Sequence, residues 1–195
     1  NPAAYSPTGV PGIADTNIVG NGTVANGAVL YTNVLSDPLS TNKLSLLEMN
    51  TNAGTSTFTM SDGVLLITNA SGNALSLGTA NGAVDTFTQS GGTLVVARPS
   101  TGNLYYQDGF QVGGTGGATG TFSISGGLAE ALCGLELSGG GTGSAGTFTV
   151  SGGTVIDNGW FGVGRGNNGN GTFNMSGGAL YILRNPSTDG TGSAA

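Results

Sequence analysis

The chain of 195 residues contains no histidine and a single cysteine, Cys133. Without histidine, neither a Ser-His-Asp triad nor a Cys-His pair nor a histidine metal site can form. One cysteine excludes an internal disulfide bond and a cysteine metal cluster. We therefore predict no catalytic residues, no metal site and no cofactor, and we expect that the protein is not an enzyme.

Charge is also scarce, since only 7% of the residues are charged. The chain contains four Lys and Arg residues and ten Asp and Glu residues. A net-negative surface with four scattered cations cannot neutralise a phosphate backbone, which excludes nucleic acid as a partner. No apolar run approaches the roughly 18 residues that span a bilayer, so we predict no membrane insertion.

The composition also bears on location. The sequence starts at Asn1 rather than at methionine, is rich in Thr, Asn and Gly, and is nearly free of lysine. These features predict a secreted protein, extracellular or at the cell surface, from which a signal peptide has been removed.

What the chain does contain is a repeat. Five nearly identical phrases are TFTMSDG from Thr57, TFTQSGG from Thr86, TFSISGG from Thr121, TFTVSGG from Thr147 and TFNMSGG from Thr172. A second, weaker phrase lies between them: ALSLG from Ala74, FQVGG from Phe110, LELSG from Leu135 and FGVGR from Phe161. The pattern also places LSLLE, from Leu44, in this second phrase. Strand-like repeats punctuated by glycine pairs are typical of stacked β architectures.

Alternation within the phrases predicts which side chains point inward. Stacked coils would join the phenylalanines of the five TF phrases into one internal ladder, with Met60, Gln89 and Ile124 in the next one. Gln89 is polar, so it must find a partner there. The segment 128–137 resembles a short helix, but its place in the register predicts strand.

These observations predict an all-β protein, a right-handed parallel β-helix (β-solenoid) with about three short strands per coil and an irregular N-terminal arm or cap. We place the N-terminal arm or cap at residues 1–42, the parallel β-helix at 43–185 and a C-terminal tail at 186–195. Two of the segments that connect successive phrases are longer than the others, around 68–73 and 97–108. Since loops bulge outward from such coils, both should emerge on the same side, one coil apart.

The phrase G-T-F-T-x-S-G-G-T, as at residues 146–154, resembles the repeats of bacterial extracellular β-solenoid proteins of the autotransporter-passenger type. The resemblance covers about residues 56–183 and implies a β-solenoid. It does not select an activity, because such repeats occur in adhesins, scaffolds and enzymes alike.

Three functions remain open. The first is a secreted structural protein that binds other copies of itself, through open β-helix ends and terminal arms, and builds a filament or surface layer. The segments predicted to carry assembly contain Asn1, Pro2, Tyr5, Leu180, Tyr181 and Leu183.

The second is an adhesin or carbohydrate-binding module that uses the 97–108 loop, with glycans as partners. The residues predicted to bind are Arg98, Tyr105, Tyr106 and Asp108. The third is an ice-binding protein that uses the outward threonines of the TFT phrases, although threonine is also simply favoured on exposed strand faces.

Overall fold

The structure is a computed structural model. It describes residues 16–19, 32–35, 41–44, 46–49, 53–69, 72–98, 108–114, 116–138, 141–165 and 168–183. Within these ranges the regular structure is entirely β, and no helix there is long and apolar enough to cross a membrane.

Eighteen short strands follow one another along the described chain. They are β1 Thr16–Val19, β2 Thr32–Leu35, β3 Thr41–Leu44, β4 Leu46–Met49, β5 Gly54–Met60, β6 Val64–Thr68, β7 Leu75–Leu77, β8 Ala83–Gln89, β9 Thr93–Ala97, β10 Asp108–Val112, β11 Thr119–Ile124, β12 Leu128–Leu132, β13 Gly134–Leu137, β14 Ala145–Val150, β15 Thr154–Asp157, β16 Phe161–Val163, β17 Asn170–Met175 and β18 Ala179–Ile182.

These strands form three parallel six-stranded sheets, here called A, B and C. Sheet A has the order β1-β4-β7-β10-β13-β16, sheet B the order β2-β5-β8-β11-β14-β17, and sheet C the order β3-β6-β9-β12-β15-β18. Each strand therefore pairs with the strand three places further along the chain, as one coil stacks on the next. This confirms the predicted parallel β-helix with three short strands per coil. Among the described strands, β1–β3 form the first layer and β16–β18 the last layer.

The core consists of stacked columns of inward side chains, of which the phenylalanine column of sheet B is the clearest. Phe58, Phe87, Phe122 and Phe148 are buried, with ring centroids 4.8, 5.0 and 4.7 Å apart and ring planes inclined by 21–22°. These spacings match the distance of about 4.8 Å between neighbouring strands. The aromatic ladder predicted from the TF phrases is confirmed, and Phe173 continues it in the last layer.

Gln89 interrupts the neighbouring apolar column between Met60 and Ile124. Its side chain is buried, and Nε2 donates hydrogen bonds to the carbonyl oxygens of Leu128 at 2.9 Å and of Gly92 at 3.3 Å. The partners predicted for the Gln89 side chain are therefore two backbone carbonyl oxygens, which accept hydrogen bonds from its amide nitrogen.

The corner between sheets B and C has three residues in each of five successive coils. The corners are 61–63, 90–92, 125–127, 151–153 and 176–178. Two different demands select glycine there. A Cβ on Gly152 would lie 2.3 Å from the carbonyl oxygen of Ser125 in the coil beneath, and Gly153 has φ 74°. The glycine pair is thus a consequence of close stacking and of a left-handed turn.

Two further predictions about the path of the chain are confirmed. The helix-like segment 128–137 forms strands β12 and β13, because stacking on neighbouring coils outweighs local propensity. The two longer segments both connect sheet C to sheet A, between β6 and β7 and between β9 and β10, in adjacent coils.

The assignment of Leu44 to the second phrase is wrong. Leu44 lies in β3 and pairs with Ile67 of sheet C, whereas Leu47 is the residue that pairs with Leu75 of sheet A. The letters LSL occur at both 44–46 and 75–77, which produced the false match. One residue, Ser45, separates β3 from β4, so the chain leaves sheet C without a glycine to mark the corner.

Candidate functional site

The last layer presents an apolar end to the solvent. Each of its three strands has a paired neighbour on one side only among the described strands. Exposed fractions of its large apolar side chains are 45% for Val163, 47% for Met175, 53% for Tyr181, 52% for Ile182 and 53% for Leu183. Of the residues predicted for assembly, Leu180 lies half-buried in β18, and Tyr181 and Leu183 are exposed.

In the layer beneath, residues of the same columns are buried. Met175 pairs with Val150 and Leu180 with Val155, and both valines are buried. The exposure of Met175 is therefore an effect of position in the last described layer, since its column is buried in the layer beneath. Among the described residues, this end combines strand edges that lack a second partner with apolar side chains, the two features that favour addition of another β-structure.

A buried carboxyl group lies directly beneath this end. Asp157 pairs with Ile182 of the last layer on one side and with Ala131 on the other, in a column otherwise apolar. Its Oδ1 accepts a hydrogen bond of 3.0 Å from the amide of Gly159, and Oδ2 has no hydrogen bond from the described residues. Burial raises the pKa of Asp157 from 3.8 to about 6, although the Gly159 amide opposes the shift.

The opposite end of the solenoid differs in residue type. In the first described layer, the strand register pairs an asparagine with an apolar residue in every sheet: Asn17 pairs with Leu47, Asn33 with Phe58 and Asn42 with Leu65. All three partners are buried. Sequence reasoning missed this set, because the three residues fall on one layer only once the strand register is known.

A third feature is a polar contact on the outer side of sheet A. Arg165 Nη1 lies 3.8 Å from Oε1 of the buried Glu136, and its guanidinium group lies 4.6 Å from the ring centroid of Trp160. An arginine between a carboxylate and an indole ring is held by charge and by a cation–π contact. This cluster joins the last two layers of the sheet, because Glu136 is in β13 and Trp160 precedes β16.

The outward threonines of sheet B are in the predicted register. One column contains Thr57, Thr86, Thr121, Thr147 and Thr172, and the next contains Thr59, Thr88, Ser123, Thr149 and Asn174. The rows are therefore real neighbours, with Ser123 and Asn174 as the interruptions.

The predicted binding loop lies mostly outside the described residues, and so do Tyr105 and Tyr106. Arg98 directly follows β9 and is half-buried, and Asp108 begins β10. The two strand ends stay close, because a Cβ on Gly109 would lie 3.1 Å from the Cβ of Arg98. Asn1, Pro2 and Tyr5 of the predicted arm also lie outside the described residues.

In the part of the chain that the structure describes, no three His, Cys, Asp or Glu residues come together as metal ligands would. Cys133 is fully buried, with Sγ 3.6 Å from the carbonyl oxygen of Val96. Comparisons with protein-family models, with curated proteins and with solved structures found no match to this chain.

Proposed function

We propose that this chain is a secreted structural protein that assembles with other copies of itself through the open ends of its β-helix, aided by its terminal arm, into a filament or surface layer. The observation that carries the proposal is the apolar last layer, in which Met175, Ile182 and Leu183 stay about half exposed. Removal of apolar surface from water is the main favourable contribution to most protein associations. Unpaired strand edges add directional hydrogen bonds to another copy.

A matched pair of substitutions tests this role of the last layer. Met175→Glu places a charge on a side chain that is 47% exposed at the end of the solenoid, and Val84→Glu places one on a side chain that is 44% exposed on the outer face of β8. Association should be lost in Met175→Glu and kept in Val84→Glu, because desolvating a carboxylate at a contact is costly.

The measurement is sedimentation velocity over a dilution series, with negative-stain electron microscopy of the concentrated samples. Circular dichroism of both variants controls for folding. A parent chain that sediments as a monomer at every concentration would overturn the proposal, as would a folded Met175→Glu variant that assembles like the parent.

A second candidate function is binding of a glycan or protein by the 97–108 loop, as in an adhesin. The observation in its favour is that both longer segments leave the same corner of the solenoid in adjacent coils. Replacing Tyr105 and Tyr106 together by Ala should then abolish retention on a glycan array and leave sedimentation unchanged. Equal retention of parent and variant would exclude this loop as the binding site.

A third candidate is ice binding by the threonine columns of sheet B. It is favoured by their common register and by the regular spacing of the phenylalanine rings beneath them. Thr121→Lys and Thr147→Lys should then weaken inhibition of ice recrystallisation, with Thr154→Lys on sheet C as the control. No inhibition by the parent chain would remove this candidate.

A further inference from the structure

We infer that Asn81 is a site of spontaneous modification, at which the folded protein converts its own asparagine to aspartate or isoaspartate. Asn81 precedes Gly82 in the corner that leads from β7 of sheet A to β8 of sheet B. Both residues are exposed to solvent. The inference goes beyond the proposed self-assembly and does not depend on it, because this corner lies on the side of the solenoid.

The reaction needs only water and the two residues themselves. The backbone nitrogen of Gly82 gives up its proton and attacks the side-chain carbonyl carbon of Asn81. The bond from this carbon to the side-chain amide nitrogen breaks, ammonia leaves, and a cyclic imide remains. Water then adds to one of the two imide carbonyls and breaks its bond to the ring nitrogen, which leaves either aspartate or isoaspartate. Glycine favours the attack, because it has no Cβ to obstruct the approach.

The local structure at Asn81 leaves both reacting groups accessible. The Asn81 side chain makes no hydrogen bond with the residues that the structure describes. Residues 80–83 form a turn that is closed by a backbone hydrogen bond of 3.0 Å between its last and first residues, and Gly82 there has φ 78°. The Gly82 amide donates to the carbonyl oxygen of Gly117 in the next coil at 3.2 Å, which is longer than the usual distance of about 2.9–3.0 Å.

A second Asn-Gly pair, Asn158 and Gly159, is held at both reacting groups. The side-chain amide nitrogen of Asn158 donates a hydrogen bond to Oε1 of Glu130 at 3.1 Å. The backbone amide of Gly159 donates to Oδ1 of Asp157 at 3.0 Å. An amide that donates to a carboxyl group is not free to lose its proton and attack, so this pair should react slowly.

Two further pairs in the described ranges, which begin at Asn168 and Asn170, are held by close backbone packing. A Cβ on the following glycine, Gly169 or Gly171, would overlap backbone atoms of a neighbouring segment. By contrast, the nearest atom to a Cβ on Gly82 would be a side-chain carbon, 3.2 Å away. Because the attack requires the peptide after asparagine to rotate, close backbone contacts oppose it at the first two sites and not at the third.

The base of the corner is fastened although its tip is not. The Gly78 amide donates a hydrogen bond of 2.6 Å to Oδ2 of the buried Asp85, and the Thr79 hydroxyl donates one of 3.2 Å to the carbonyl oxygen of Met49. The turn at 80–83 can therefore open without separating β7 from β8. We expect the modified chain to stay folded, with one more carboxylate on its surface.

Peptide mapping of the aged full chain measures the reaction at each site. Cleavage after the three glutamates of the sequence leaves Asn81 as the one Asn-Gly pair in peptide 49–130, separate from the three held pairs. The chain is incubated at pH 8, folded in buffer and unfolded in urea. Mass spectrometry with electron-transfer fragmentation then distinguishes asparagine, aspartate and isoaspartate. Asn21 and Asn26 also precede glycines but lie outside the described residues, and they fall in a different peptide.

In the folded chain we expect Asn81 to react at least about tenfold faster than Asn158, Asn168 and Asn170, because exposed turns open locally more often than packed segments. In urea the four sites should react at similar rates, since all precede glycine. Asn81→Gln is the matched control and should remove the product from peptide 49–130. Equal rates at the four sites of the folded chain, or no product at Asn81, would overturn the inference and leave the proposed self-assembly unaffected.

Discussion

The first and last layers of the solenoid are built on the same columns but end them differently. At the first layer, three columns arrive at Asn17, Asn33 and Asn42, whereas at the last layer the same columns arrive at Phe161, Phe173 and Leu180. The last described layer thus keeps the residue types of the columns beneath it, and it is the surface on which we expect association.

The largest expected effect distinguishes an inner layer from the last layer. Phe122→Ala should lower the free energy of unfolding by about 4 kcal/mol, because the ring is fully buried between two others. Phe173→Ala should cost only about 1–2 kcal/mol, because this ring is partly exposed and its loss leaves no closed cavity. Urea unfolding at concentrations where the chain is monomeric measures both. Equal losses would mean that the last layer is covered in solution.

The next effect concerns the buried carboxyl beneath the last layer. Because the pKa of Asp157 in the folded protein is about 6 and its ordinary value is 3.8, the folded state binds the proton more tightly. Stability contributed by this group is thus full below pH 4 and is lost as the pH rises through about 6. Asp157→Asn retains the acceptor for the Gly159 amide and cannot ionise.

We therefore expect Asp157→Asn to be more stable than the parent by about 3 kcal/mol at pH 8 and equal to it below pH 4. Thermal and urea unfolding across this pH range measure the difference between the two chains. Asp62→Asn, at an early corner, controls for the loss of one negative charge. A constant difference at all pH values would show that ionisation of Asp157 is not its cause.

The sequence predicted the columns better than it predicted their ends. The phenylalanine ladder and the strand assignment of 128–137 could be predicted because the same phrase occurs five times. The register of one coil therefore predicts the register of the next. The strand position of Leu44 was predicted wrongly, because only one residue separates β3 from β4. No glycine in the sequence marks the turn between these two strands. The layer of asparagines and the burial of Asp157 depend on which residues stack, which the phrases alone do not reveal at the atypical coils.

A smaller effect is expected at the corners between sheets B and C, where glycine occupies the middle position between β14 and β15 but not between β5 and β6. Gly152→Ala should cost about 2 kcal/mol, because the new Cβ would lie 2.3 Å from the carbonyl oxygen of Ser125. Asp62 occupies the equivalent corner position between β5 and β6 and bears a side chain whose Oδ1 accepts a hydrogen bond from the Gly63 amide. Asp62→Ala should lose only that bond, about 0.5–1 kcal/mol. Equal costs in urea unfolding would contradict a steric origin.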